Sequence, residues 1–200
     1  MKFSVVLLGL FILGVMFGTA GFMPQFLLID GVSMQLVRLL LLLVGLGMGL
    51  DLQFFTYLRH VNLRMLLVPA GVVLGSLVGA GLAALLLPGL SVRDGVVVGA
   101  GLGYYSLSSI LIGQVRGAEL GVVALLSNIL REVSTLLLTP LLVRAGGKLA
   151  PVASAGATSS DTTLPVIQRY TDSATTLIAV INGLVLTLLV PFLVTFLLGG

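Results

Sequence analysis

The stretch "GLGYYSLSSI", Gly101 to Ile110, sets two adjacent tyrosines and three serines inside a long apolar run. In hydrocarbon every unsatisfied backbone group is costly, so a chain at membrane depth either satisfies itself as a helix or is shielded by protein or trapped water. Two readings are open. In one, the run 95–112 is an ordinary helix whose serine hydroxyls bond its own carbonyls. In the other, a broken or re-entrant stretch near 103–109 lines a polar path.

The rest of the chain sets the medium. It is 58% hydrophobic and 8% charged, against about 25% charged residues in a soluble domain. Apolar runs long enough to cross hydrocarbon recur at about 3–19, 33–50, 63–87, 95–112, 119–143 and 173–198. The expected fold is an all-α polytopic membrane protein of about 5–6 hydrophobic helical segments, one transmembrane transporter domain over residues 1–200. The net charge of +3 reflects loop lysines and arginines beside lipid headgroups, with no basic surface for nucleic acid. With no cysteine, disulfides and thiolate metal sites are excluded. The first run could be a cleaved signal peptide, but it reads better as an uncleaved spanning helix.

Charge placement gives an orientation. Lys2 and the "RHVNLR" loop (Arg59 to Arg64) fall on one side, whereas the connection 20–32 holds Asp30 and no basic residue. The positive-inside bias then puts the N-terminus in the cytoplasm. If every run crossed fully, Arg144 and Lys148 would fall outside. If 95–112 enters and returns on one side, they fall inside and the C-terminus falls outside.

A second polar stretch, "GATSSDTTLP", precedes the last apolar run. Ser160, Asp161, Thr162 and Thr163 stand before Pro165, the order expected at a helix start, because proline is tolerated only in the first turn. A discontinuous or re-entrant element is therefore expected near 155–165. Its free N–H groups around Thr162–Leu164 are candidates for holding an anionic group. The bland alternative is a plain helix start in a loop.

The third feature is an intramembrane acid. In "LLSNILREVSTLLLTPLL", Asn128, Glu132, Thr135 and Thr139 share one helical face. A charge at bilayer depth faces a cavity or the bundle interior. Glu132 is accordingly a candidate substrate or proton site, with Asn128 beside it. An ion pair with Arg131 is the structural alternative, although the two residues point about 100° apart around the helix. Asp51, at the end of the second run, is a weaker candidate. Gly71, Gly75 and Gly79 form a small-residue face suited to close helix approach, and His60 reads as an interfacial surface residue. No phosphate loop, HExxH or GxSxG occurs, so no cofactor or metal is expected and an enzyme is disfavoured.

"GLGYYSLSSILI", "LSNILREV", "GATSSDTTLPVIQR" and "NGLVLTLLVPFLV", taken together and in this order, resemble the LysO-type lysine exporters. The likeness covers essentially the whole chain and corresponds to the larger C-terminal part of full-length members, which carry about three further N-terminal helices. The resemblance implies export of L-lysine and of analogues such as thialysine from the cytoplasm across the inner membrane, in exchange for protons. It also implies that Glu132 is the essential membrane glutamate, and that the missing helices come from a second copy or a separate small membrane subunit. In this scheme the lysine ammonium lies at Glu132, while Tyr105, Ser106 and Ser108 line the path facing Asp161. A small channel or scaffold subunit without coupled transport is the alternative.

Overall fold

The computed structural model describes residues 65–199 and a few isolated earlier positions. The expected helices at 3–19 and 33–50 lie almost wholly outside the described residues, and Asp51 and His60 lie outside them entirely. The chain divides into two units, residues 1–43 and 44–200, and every helix from residue 65 onward belongs to the second.

The helices are α1 (Leu67–Leu85), α2 (Val92–Gly99), α3 (Tyr105–Arg116), α4 (Ala118–Gly146), α5 (Ala150–Ala155), α6 (Leu164–Tyr170) and α7 (Ser173–Gly199), with a short 3-10 turn at Gly156–Ser160. Among the described residues there is no strand. Three of the helices, α1, α4 and α7, are long and apolar enough to cross a membrane, and the chain is an all-α membrane protein. At 1.5 Å per residue, α2, α3, α5 and α6 each fall short of about 30 Å of hydrocarbon.

Two ion pairs explain what the short helices do. Arg116 Nη1 lies 3.6 Å from Asp94 Oδ1, whereas a continuous helix would hold these residues about 33 Å apart. Lys148 Nζ lies 2.7 Å from Asp172 Oδ2; a continuous helix would separate them by about 36 Å. Each pair of short helices therefore folds back on itself and returns to the end at which it entered. The α2–α3 hairpin has its base at the start of α4, and the α5–α6 hairpin has its base at the end of α4. They enter from opposite ends of that helix, so the order hairpin then span occurs twice, in inverted sense.

Local chemistry punctuates these elements. Ser91 caps α2, its Oγ accepting from the Asp94 N–H (3.1 Å). Pro165 sits in the first turn of α6, where its missing N–H costs nothing. Asp172 opens α7 by accepting from the Thr175 N–H (2.8 Å). At α1, the side meeting α2 is not the glycine face. A Cβ on Gly95 would lie 2.5 Å from the Ala84 Cβ, and one on Gly99 would lie 2.6 Å from the Ala80 Cβ. The close approach thus comes from α2's glycines against α1's alanines. Gly71, Gly75 and Gly79 are exposed, and among the described residues nothing lies within 4 Å of an added Cβ.

The core is built around the hairpins: Leu102, Leu107, Ile112, Ile167, Ile181 and Leu186 are all fully buried. Outward-facing positions on the spanning helices remain apolar, as with Leu137, Phe192 and Phe196, which suits a lipid solvent.

Candidate functional site

The two hairpin tips meet. The N–H of Ala157 donates to the Leu102 carbonyl (2.8 Å), joining the break between α2 and α3 to the break between α5 and α6. Such contact demands bare backbone. A Cβ on Gly156 (φ +66°) would collide with the Leu102 carbonyl oxygen, and one on Gly103 (φ +98°) would stand 2.9 Å from the Ala155 carbonyl oxygen.

Each tip is anchored by an asparagine from the spanning helix that follows it. Asn128 on α4 is buried; its Oδ1 accepts from the Gly103 N–H (2.7 Å), and its Nδ2 donates to the Ala124 carbonyl (2.8 Å). Asn182 on α7 is also buried, and its Nδ2 donates to the Gly156 carbonyl and to Ser159 Oγ, both at 3.0 Å. Ser159 Oγ in turn donates to the Ala179 carbonyl (2.8 Å). The Asn182 Oδ1 has no hydrogen-bond partner among the described residues. Where helical backbone is interrupted at membrane depth, side-chain amides are one way to restore the missing bonds.

Arg131 completes the crossing from α4. Its Nε donates to the Ser154 carbonyl (2.7 Å), its Nη2 to the Ala153 carbonyl (3.0 Å) and its Nη1 to Ser76 Oγ (2.9 Å). The guanidinium thereby satisfies carbonyls at the end of α5, where the helix dipole favours a cation. Its Cζ stands 3.3 Å from where a Gly156 Cβ would be. A cleft of about 290 Å³ opens here between α1, α2 and α4, bordered by Ser76, Gly79, Gly99, Ser127, Asn128 and Arg131 among others.

The family described as Lysine exporter LysO matches residues 8–198. This chain belongs to it. The Lysine exporter LysO of Escherichia coli K12 is 35% identical over 161 residues, which make up 79% of this chain and 52% of that protein. A Haemophilus influenzae protein, whose name proposes the role of lysine exporter, is 34% identical over 136 residues, 68% of this chain and 69% of its own length. The chain thus spans about half the length of the Escherichia coli relative. No solved structure matches it.

Within this family member, the sequence-derived residues are distributed unevenly. The break falls at residues 100–104, just ahead of the expected 103–109, so the serines lie in α3. Ser108 is buried and donates to the Tyr104 carbonyl (2.8 Å); Ser109 donates to the Tyr105 carbonyl (2.6 Å). The serines therefore follow the ordinary-helix reading, and residues 100–104 the broken-stretch reading. Ser106 is exposed, and Tyr104 and Tyr105 are half-buried. At the start of α6 the backbone donors are already engaged. The Thr162 N–H donates to Asp161 Oδ1 (2.6 Å), Thr163 to the Thr158 carbonyl (3.1 Å) and Leu164 to the Asp161 carbonyl (3.2 Å). Thr163 is buried, its hydroxyl also bonding Thr158 O (2.9 Å), and Ser160 Oγ donates to Ala157 O (3.3 Å). No open anion cradle is left there.

On α4, Asn128, Thr135 and Thr139 are buried and Glu132 is half-buried. Among the described residues Glu132 has no hydrogen bond or ion pair, and Arg131 does not pair with it. Sequence reasoning missed Asn182, although an asparagine inside "LIAVINGLVLTLL" is legible by the same rule that flags Glu132.

Proposed function

We propose that this chain is the translocating part of an exporter that carries L-lysine, and analogues such as thialysine, out of the cytoplasm in exchange for protons. The observation that carries this reading is the crossing of two hairpin tips between spanning helices, with Glu132, half-buried and unpartnered among the described residues, on the helix that anchors one tip. Interrupted helices at mid-membrane give a solute polar groups without exposing them to lipid. Glu132 binds the side-chain ammonium in one orientation of the protein and a proton in the other, so the two cargoes exclude one another. The names of the relatives support lysine as cargo.

In this reading the multi-pass chain sits in the cell membrane with the Arg144–Lys148 end and the N-terminus cytoplasmic, in line with the positive-inside bias. It works as a homo-oligomer or with a small membrane subunit supplying further helices, with Asp161, Thr162, Thr163, Ser160, Tyr105, Ser106 and Ser108 near the path.

Lysine-driven proton movement in proteoliposomes, made from the chain with and without its candidate subunit, tests the proposal. Glu132→Gln should bring transport to background while the protein still inserts and folds, and Glu132→Asp should keep part of it. Adding Arg131→Gln to Glu132→Gln should rescue nothing. Near-normal, proton-coupled transport by Glu132→Gln rejects the role of Glu132; a flux that never saturates with lysine identifies a channel instead.

A further inference from the structure

The Arg131 cleft is built to take an anion. Arg131 offers five N–H donors and uses three, on Ser154 O, Ala153 O and Ser76 Oγ. One donor on each Nη remains. Asn128 Nδ2 spends one of its two protons on Ala124 O, and Ser76 Oγ, accepting from Arg131, keeps its own proton to give. Ser127 adds a further hydroxyl to the lining. Against these donors the described lining holds no Asp or Glu, and Arg131 makes no ion pair among the described residues. A guanidinium on a spanning helix without a counter-ion is costly, and the cleft leaves room for one. Gly75 and Gly79 border that room without side chains. At about 290 Å³ it stands at the lower edge of small-molecule pockets, which run from about 300 to 1,000 Å³. This suits a free amino acid.

We propose that Arg131 and Asn128, which hold the two hairpins from α4, bind the α-carboxylate of the transported amino acid in this cleft between α1, α2 and α4. The inference rests on the proposed export function and adds the specificity determinant. A diamine carrying the same terminal ammonium but no carboxylate finds a bare guanidinium and is repelled.

Ligand-induced thermal stabilisation of the purified full chain tests this with L-lysine, 6-aminohexanoate, L-norleucine and cadaverine. The second keeps carboxylate and terminal ammonium, the third keeps the carboxylate alone and the fourth lacks it. Lysine and 6-aminohexanoate should bind at least about tenfold tighter than cadaverine, a ratio within reach of one charge-assisted hydrogen bond. Arg131→Gln should shrink that ratio to within about twofold, and Arg131→Lys should restore part of it. Merely structural loss of the α5 cap would lower both ligands together and leave the ratio unchanged, which would overturn the proposal. Cadaverine matching lysine in the wild type would overturn it too, while leaving lysine export standing. Arg131-dependent binding of norleucine without binding of lysine would uphold the carboxylate site and reject lysine as cargo. Failure of every carboxylate to bind the folded wild type would overturn it outright.

Discussion

Gly156→Ala tests the crossing of the hairpins directly. Gly156 has φ +66° and ψ −127°, a region that L side chains rarely enter, and such a residue costs on the order of 1–3 kcal/mol. In addition, its new Cβ collides with the Leu102 carbonyl. The tips must then part, and the buried Ala157 N–H loses its acceptor, at about 1–3 kcal/mol for an orphaned donor. The total is about 2–6 kcal/mol. Gly147→Ala is the matched control: φ is +77°, but among the described residues nothing lies within 4 Å of its added Cβ, so it carries only the backbone cost of about 1–3 kcal/mol. Thermal unfolding followed by circular dichroism in detergent should show the larger loss for Gly156→Ala, and reconstituted transport should fail in that variant alone. Equal destabilisation by the two substitutions would refute the tip-to-tip contact.

Single cysteines can be placed cleanly, since the chain has none; Ser91→Cys and Gly117→Cys should label from one face of the membrane, and Gly147→Cys and Ser173→Cys from the other. Labelling of positions 91 and 117 from opposite faces would mean that the first hairpin crosses. The Asp172 carboxyl is held well below the ordinary aspartate range, first by the hydrogen bond from Lys148 and then by those from Thr175. As pH falls the unfolded chain therefore takes up this proton before the folded one does. The thermal advantage of wild type over Asp172→Asn should be constant from about pH 5 to 8 and narrow progressively below about pH 4. An advantage undiminished at about pH 3 would contradict the assignment.

Residue chemistry alone determined the medium, the helix start at Pro165 and the polar face of α4. A composition with 8% charge has no other stable solvent than lipid. Pro165 behind a run of serines and threonines can only begin a helix, and α6 begins there. Asn128, Thr135 and Thr139 recur at helical spacing, and all three are buried. These are local or periodic properties, so one sequence suffices to read them. Which surfaces meet is not local. The glycine stripe of α1 and the glycines of α2 look alike in sequence, yet among the described residues only the latter are packed tightly, because the turn after α1 brings α2 back with Gly95 and Gly99 against Ala84 and Ala80. Ion pairs across 22 and 24 residues, from Asp94 to Arg116 and from Lys148 to Asp172, lie at the bases of two opposed hairpins. Only that folding brought the end of α5 to Arg131 and gave the guanidinium carbonyls to bond instead of Glu132. Helical spacing says that the two side chains diverge; where each one lands depends on chain folded back from more than 20 residues away.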